Sequence, residues 1–279
     1  MSEMISKLSL YLSYDFVISA FIVGALVSLC CALLGVSLVL RRCSMIGDGL
    51  SHVAFGALAL AAVMGAAPLA FSVPVVIVAA VLLLRVSENS RIGGDAAIAM
   101  ISTTSLAIGV SAISLAGGMN TDVSSYMFGS LSAMEKGDVV LSVIISFFVI
   151  LFYVLFSNRI FSVTFDESFA KATGLSVELY KTAIAVVTAI TIAVGMRVIG
   201  AMLISALIIF PALTAMRLFG SFRAVTVCAA VVAVSSAFIG ISASCLFSLP
   251  TGAAIVITNA FAFLLFTLIS LVKRFISKG

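Results

Sequence analysis

The chain has 279 residues, of which 63% are hydrophobic and only 9% are charged. A soluble domain averages about 25% charged residues, so this composition excludes a soluble protein and indicates an integral membrane protein. The net charge of +4 reflects Lys and Arg in loops and is no sign of nucleic-acid binding.

Apolar runs divide the chain into membrane-spanning helices, each of which needs about 20 largely apolar residues. Residues 1–15 predict a short interfacial helix, and 123–133 is too short to cross and is expected at the surface or re-entrant. The nine predicted spans are 16–40, 44–65, a third ending near 85, 95–116, 139–156, 182–195, 198–216, 224–247 and 252–272. Because 182–195 is short and could be a half-helix, eight spans are possible. We therefore predict one all-α polytopic bundle over 1–279.

The distribution of Lys and Arg predicts the orientation of this bundle. With the N-terminus outside, only Lys7, Lys136 and Arg197 fall on the outer side. The inner side receives Arg41, Arg42, Arg85, Arg91, Arg159, Lys171, Lys181, Arg217, Arg223, Lys273, Arg274 and Lys278. Cytoplasmic loops carry an excess of Lys and Arg, so we predict an N-out, C-in topology.

The single histidine of the chain, His52, follows Asp48 by four residues inside the second predicted span. Residues at this spacing share one helix face, and an ionisable pair at membrane depth usually marks a functional site. A structural pair that only satisfies itself is the alternative. Two ligands are too few for a metal ion, but a two-fold dimer would bring together two copies of each, a set suited to zinc, manganese or iron(II). Cys43 lies off this face and is disfavoured as a ligand.

The longest polar segment, 157–181, predicts a short capped helix on the cytoplasmic side. Asp166 and Glu167 are placed in its first turn, where negative charge is favourable. Gly174 is placed as its C-cap. The segment is either a solvated connector or, with Phe169 exposed, a docking surface for a soluble partner.

Several blocks resemble the permeases of metal-ion ABC importers, the zinc, manganese and iron branch. The run Leu40–His52 resembles the signature of that family. Blocks at 125–131, 166–174, 198–212 and 249–252 resemble other parts of the family in the same order. Together they cover nearly the whole chain.

This resemblance implies a type II ABC importer-like fold and a homodimeric permease in a bacterial-type cytoplasmic membrane. Its implied partners are two cytoplasmic ATPase subunits, which hydrolyse the ATP, and an extracytoplasmic metal-binding protein. No permanently bound cofactor is implied, and the cargo would be zinc, manganese or iron, coordinated by Asp48 and His52. Coupling to the ATPase would run through a helix with the residues Asp166, Glu167, Phe169, Ala170 and Gly174.

One departure from the family pattern bears on the choice of metal. Zinc-type members can carry a second histidine in the fourth span, where this chain has Ser102, Thr103 and Thr104. The identity of the metal therefore stays open between zinc, manganese and iron.

Two other classes of function compete with the importer. A proton-coupled secondary transporter could use Asp48 and His52 as a relay, but such carriers often show internal repeats and none is evident here. An intramembrane hydrolase could use Ser51 beside His52, but adjacent helical residues point to different faces, and the chain has no Gly-x-Ser-x-Gly elbow.

Overall fold

A computed structural model describes residues 14–89, 94–116, 127, 129 and 136–276. Within these ranges the chain forms helices and no strand, which confirms the all-α prediction. The helices are α1 Asp15–Leu40, α2 Ser44–Val63, α3 Pro68–Asn89, α4 Gly94–Leu115, α5 Lys136–Phe165, α6 Glu167–Ala172, α7 Val177–Ile199, α8 Ala201–Met216, α9 Phe222–Phe247 and α10 Thr251–Ile276. Apart from single residues, the predicted interfacial helix and the 123–133 segment, with its 125–131 block, lie outside the described residues.

Eight of these helices, all except α6 and α8, are long and apolar enough to cross a membrane. The predicted sixth span is not a half-helix, because α7 extends from Val177 to Ile199. The short apolar helix is instead α8, whose 16 residues measure about 24 Å. The prediction began the sixth span too late because it took Glu178 and Lys181 for loop residues. Their side chains form an ion pair at 3.7 Å within α7.

Helices α7 and α8 are joined by a sharp turn at Gly200, whose φ of 95° favours glycine. A Cβ placed on Gly195 would lie 2.7 Å from Ile204 Cδ1, so α8 packs back against α7. The last turn of α8 then reaches the end of α1, where Ala215 and Val36 share one apolar cluster. The chain therefore runs out along α7 and returns along α8.

One end of the bundle gathers most of the positive charge, and we call it the basic end. Arg41, after α1, and Lys181, in α7, both contact Glu167 of α6, and Phe222 at the start of α9 packs against Phe161 of α5. Since consecutive helices alternate in direction, the described Lys and Arg residues at or near this end are Arg41, Arg42, Arg85, Arg159, Lys171, Lys181, Arg217, Arg223, Lys273 and Arg274. Lys136 and Arg197 belong to the opposite ends of α5 and α7. The membrane side that the basic end faces stays a prediction.

The core is built on close approaches between helix backbones. Gly35 of α1 lies so near α8 that an added Cβ would collide with the carbonyl oxygen of Ile208. Gly56 of α2 lies against α4, where an added Cβ would be 2.6 Å from the carbonyl oxygen of Ser105. Such small residues allow membrane helices to pack tightly without a hydrophobic driving force between them. These two contacts fix α2 and α8 relative to their neighbours.

Replacing Gly35 with Ala should destabilise the protein, because the backbone of α8 would have to move to admit a methyl group. Overpacking typically costs about 1–3 kcal/mol, which should lower the thermal midpoint of the detergent-solubilised protein by roughly 2–10 °C. Gly220→Ala is the matched control, since a Cβ there meets nothing within 4 Å. Equal midpoints for the two variants would contradict the close packing of α1 on α8.

Candidate functional site

Asp48 and His52 lie on one face of α2, as their spacing predicts. Asp48 Oδ2 is 3.7 Å from His52 Nε2, within ion-pair distance but too long for a hydrogen bond. The Asp48 side chain is 38% exposed, whereas that of His52 is 15% exposed. The partly exposed Asp48 carboxylate and the largely buried His52 imidazole can therefore present an oxygen and a nitrogen atom to the same ligand.

The His52 ring is incompletely satisfied. Its Nδ1 atom is buried and has no hydrogen-bond partner among the described residues. Buried polar atoms without a partner are rare in native proteins and call for an explanation such as an ion or a functional role. This observation disfavours the interpretation in which Asp48 and His52 only satisfy each other.

The neighbours of α2 show where this pair points. Gly47 faces α8, since a Cβ there would lie 3.1 Å from Ile208 Cδ1, and Gly56 faces α4 through Ser105. At about 100° per residue, Asp48 and His52 point between these two contacts, toward the gap between α4 and α8. Helix α10 packs on α8, with the Phe210 and Phe263 ring centroids 6.1 Å apart.

Large apolar side chains are exposed on α4 and α10. Examples are Met100 and Ile108 on α4 and Phe261 and Leu264 on α10. These side chains offer an apolar surface for lipid or for another protein chain.

Within the described part of the chain, no third His, Cys, Asp or Glu joins the pair to make a group of three possible metal ligands. Cys43 precedes α2, and its Sγ donates to the Arg41 carbonyl oxygen at 3.4 Å. It lines a cavity together with Glu167 and Lys181 rather than with His52. Among the described residues, one chain therefore brings together two candidate side-chain ligands, fewer than the four of a structural zinc site or the three of a catalytic one.

The hydroxyl groups of Ser51 in α2 and Thr103 in α4 donate to the backbone of their own helices. Ser51 is fully buried, and its Oγ donates to the carbonyl oxygen of Asp48 at 2.7 Å. In α4, Thr103 Oγ1 donates to the carbonyl oxygen of Ala99 at 2.8 Å, and Ser102 is buried. Because Ser51 is directed at the backbone and not at His52, the structure lacks the serine–histidine contact that a hydrolase needs.

The predicted capped helix is α6. Asp166 is its N-cap rather than part of its first turn, and its Oδ1 accepts a hydrogen bond from the backbone N–H of Phe169 at 2.9 Å. Gly174 follows the helix with φ 81°, a conformation that favours glycine. Ala170 is fully buried and Phe169 is 60% exposed. The helix thus presents an aromatic side chain outward from a firmly packed base.

Glu167 has a role that its sequence position did not reveal. Its Oε1 lies 3.3 Å from Arg41 Nη2, and its Oε2 lies 2.8 Å from Lys181 Nζ. We call these three residues the Glu167 bridge, because they join α6 to the end of α1 and to α7. The sequence analysis placed Arg41 and Lys181 in loops and did not predict their contacts with Glu167. Arg41 and Glu167 are 126 positions apart, and no local pattern indicates a contact over that separation.

The bridge determines the direction in which the Glu167 pKa moves. Partial burial of the carboxyl raises its pKa, but the hydrogen bond and charge of Lys181, with the charges of Arg41 and Lys171, more than offset this and lower the pKa below its ordinary value of 4.5. A carboxylate with a lowered pKa stabilises the fold above its ordinary pKa. That contribution is lost as the pH falls through the lowered value.

The stability difference between the wild-type chain and Glu167→Gln should therefore depend on pH. We expect the wild-type protein to have the higher thermal midpoint near neutral pH, and the gap to close as the pH falls below 4.5. Midpoints of both proteins in detergent over a pH series check this. A gap that stays constant with pH would show that the charge of Glu167 is not what stabilises this region.

The chain is similar to membrane proteins of metal transport systems over most of its length. A manganese transport system membrane protein, MntC of Halalkalibacterium halodurans, is 29% identical over 254 residues, 91% of this chain and 87% of that protein. The high-affinity zinc uptake system membrane protein ZnuB of Haemophilus influenzae is 28% identical over 261 residues, 94% of this chain and 98% of that one. A chain of PsaBC from Streptococcus pneumoniae, solved in complex with Fab, superposes with a TM-score of 0.84 at 26% identity, covering 95% of this chain and 94% of that chain.

The family comparison covers almost the entire chain. Residues 13–270 match the ABC 3 transport family. This match confirms the resemblance carried by the 40–52 run and the later blocks, and it favours an ABC transporter over a proton-coupled carrier. The protein belongs to the ABC 3 transport family.

Proposed function

We propose that this chain is the transmembrane permease subunit of an ABC importer that carries a divalent transition metal ion, namely zinc, manganese or iron(II), into the cytoplasm. One observation carries the proposal: Asp48 and His52 share a face of α2, and His52 Nδ1 is buried without a partner among the described residues. Relatives named for manganese and zinc transport support the class of cargo. ATP is hydrolysed by a separate subunit, so this chain is not itself an enzyme.

The metal site is half-formed in one chain. Two copies related by a two-fold axis, with their α2 faces opposed, would supply two carboxylates and two imidazoles, a mixed oxygen and nitrogen set that suits zinc, manganese or iron(II). The exposed apolar faces of α4 and α10 would then be covered by the second copy or by lipid. A site shared in this way can open by a small relative motion of the two chains, as transport requires.

The remaining partners follow from the two ends of the bundle. The basic end, with α6, would face the cytoplasm of a bacterial-type inner membrane, where Lys and Arg are favoured, and would meet one ATPase subunit per permease chain. An extracytoplasmic metal-binding protein would deliver the ion at the opposite end. This arrangement corresponds to an N-out, C-in topology.

Helix α6 is the proposed contact with the ATPase. Phe169 is 60% exposed on this helix and would enter a groove of the ATPase. Ala170 is buried and packs the opposite side of the helix against the rest of the chain. The Glu167 bridge connects the helix to Arg41, seven residues before Asp48. Movement of α6 on ATP binding would therefore displace Arg41 and with it the start of α2, the helix that holds the metal ligands.

Asp48→Asn and His52→Gln should each reduce metal uptake at least tenfold, because each removes a ligand from both copies at once. Tenfold corresponds to about 1.4 kcal/mol, well within what one metal ligand contributes. The measurement is uptake of manganese and of zinc into vesicles that contain the permease, its ATPase and the binding protein.

The matched control is Asp95→Asn, an exposed carboxylate in the first turn of α4. It should transport like the wild-type chain. Normal uptake by both the Asp48 and His52 variants, in assembled complexes, would contradict the site.

Phe169→Ala should separate ATP hydrolysis from transport. Loss of the exposed ring should weaken ATPase docking, so that uptake falls while the permease itself stays folded. The readout is the number of ions moved per ATP hydrolysed in the same vesicles. Phe275→Ala, which alters a side chain 80% exposed near the end of α10, is the control; equal ratios for the two variants would contradict a coupling role for α6.

A further inference from the structure

The two nitrogen atoms of the His52 ring have different surroundings. Nε2 lies 3.7 Å from Asp48 Oδ2, close to the separation of about 3.4 Å that two ligands of one tetrahedral ion have when their bonds are about 2.0–2.1 Å long. Nδ1 is buried and has no hydrogen-bond partner among the described residues. Nε2 is therefore the nitrogen that can share an ion with Asp48, and Nδ1 is the nitrogen that needs a partner from the protein.

Helices α2 and α4 run side by side in the same direction. A Cβ on Gly49 would lie 2.8 Å from Ile98 Cγ2, and a Cβ on Gly56 would lie 2.6 Å from the carbonyl oxygen of Ser105. Seven residues separate the two glycines on α2, and seven separate their neighbours on α4. The two helices therefore stay in register over about two turns, and this stretch contains His52.

Ser102 is the polar residue of α4 that this register brings to the level of His52. His52 follows Gly49 by three residues, and Ser102 follows Ile98 by four, a difference of about 1.5 Å along the helix axes. At about 100° per residue, the two side chains turn to the same flank of the contact between the helices, whereas Ile101 turns to the other. Ser102 is only 5% exposed, as expected for a side chain enclosed between α2 and α4.

The hydroxyl group of Ser102 is available to the imidazole. Thr103, the next residue of α4, donates to backbone carbonyl oxygens of its own helix, whereas Ser102 Oγ forms no hydrogen bond within the part of the chain that the structure describes. The other buried residues of α4 are Ile98, Gly109 and Ile113, and none of them has a polar side-chain group. Because a serine hydroxyl both donates and accepts, Ser102 can bond to Nδ1 whether or not that nitrogen carries a proton.

We propose that Ser102 is the positioning residue of His52. Its hydroxyl forms a hydrogen bond with Nδ1 and so holds the ring with Nε2 directed at the ion that Asp48 also binds. This inference rests on the proposed transport function. A ligating histidine is commonly fixed by a partner of its other ring nitrogen, which also selects the tautomer.

The hydroxyl suits a site that must bind its ion and then release it. In the loaded site Nδ1 carries the proton and donates to Ser102 Oγ. In the empty site the proton is on Nε2, beside the Asp48 carboxylate, and the hydroxyl donates to Nδ1 instead. The imidazole is neutral in both states, so its proton changes place without being gained or lost. His52 thus keeps a hydrogen-bond partner in both states.

His52 is the only histidine of the chain, so ¹⁵N NMR of histidine-labelled protein, prepared without a histidine tag, observes this ring alone. The full-length chain is measured in detergent, without metal, at one alkaline pH at which imidazole is neutral. Ser102→Ala should shift the Nδ1 resonance more than the Nε2 resonance, because only Nδ1 loses a hydrogen bond. Ser102→Thr keeps the hydroxyl and should restore the wild-type resonances. Thr103→Val is the matched control and should have the wild-type spectrum.

The zinc affinity of the same proteins tests the consequence for the ion. Loss of the partner of a ligating histidine typically weakens metal binding by about 10–100-fold. Ser102→Ala should therefore bind zinc at least about tenfold more weakly than the wild-type chain in calorimetric titration, and Ser102→Thr should recover most of the affinity. Since alanine is the best helix former, Ser102→Ala should keep the fold, and its thermal midpoint checks this.

Two results would overturn the proposal. One is an Nδ1 resonance that is unchanged in Ser102→Ala, or that moves instead in Ser205→Ala, which removes a buried hydroxyl from α8. The other is equal zinc affinity of the wild-type and Ser102→Ala proteins. Failure of the metal site itself would look different, because the wild-type chain would then bind no zinc. The metal-free spectra would still decide whether Ser102 holds the ring.

Discussion

Two nearly buried cations, Arg41 and Lys181, share the carboxylate of Glu167, and the arrangement of three helices depends on that sharing. Their side chains are only 8% and 6% exposed. Lys181 also pairs with Glu178 at 3.7 Å, but Glu167 is the carboxylate that contacts both cations. These contacts favour the position of α6 in which its first residue reaches both of them. The bridge therefore fixes α6 against the end of α1 and the start of α7, although α6 has only six residues and would not be stable alone.

The position of this bridge connects α6, the proposed coupling helix, to the start of α2, which carries the candidate metal ligands Asp48 and His52. Phe169 faces outward from α6, Glu167 faces the bundle, and Arg41 begins the tight turn that starts α2. That turn contains Arg42 with φ 58°, a conformation uncommon for a residue other than glycine. A displacement of α6 would change the Arg41 contact first and the entry to α2 next. Coupling would therefore depend on ion pairs between neighbouring residues and would not need a long chain of contacts through the protein.

Local patterns in the sequence predicted the parts of this structure that depend on near neighbours. The spacing of Asp48 and His52 predicted their shared face, and Asp166 and Gly174 marked the two ends of α6. Apolar runs predicted the helices themselves. The boundaries of α5 and α7 were predicted too short because Arg159 and Lys181 look like loop residues until their partners are known. Arg159 Nη1 donates to Tyr180 Oη at 2.7 Å, a tertiary contact that allows a charged residue to remain in a helix.

Contacts between distant parts of the chain were beyond the reach of those patterns. Nothing near Gly35 in the sequence indicates that its Cα packs on the backbone of Ile208. The candidate metal site was predictable in part. The spacing of its two candidate residues was predictable from one helix, whereas the direction in which they point, into the gap between α4 and α8, depends on packing.

The central claim is that each chain holds half of a metal site. It is tested most directly by the stoichiometry of metal bound to the purified, full-length permease, titrated with manganese and with zinc and compared with Asp48→Asn. We expect one ion for every two chains and loss of that ion in the variant. One ion per chain, or unchanged binding by the variant, would contradict it.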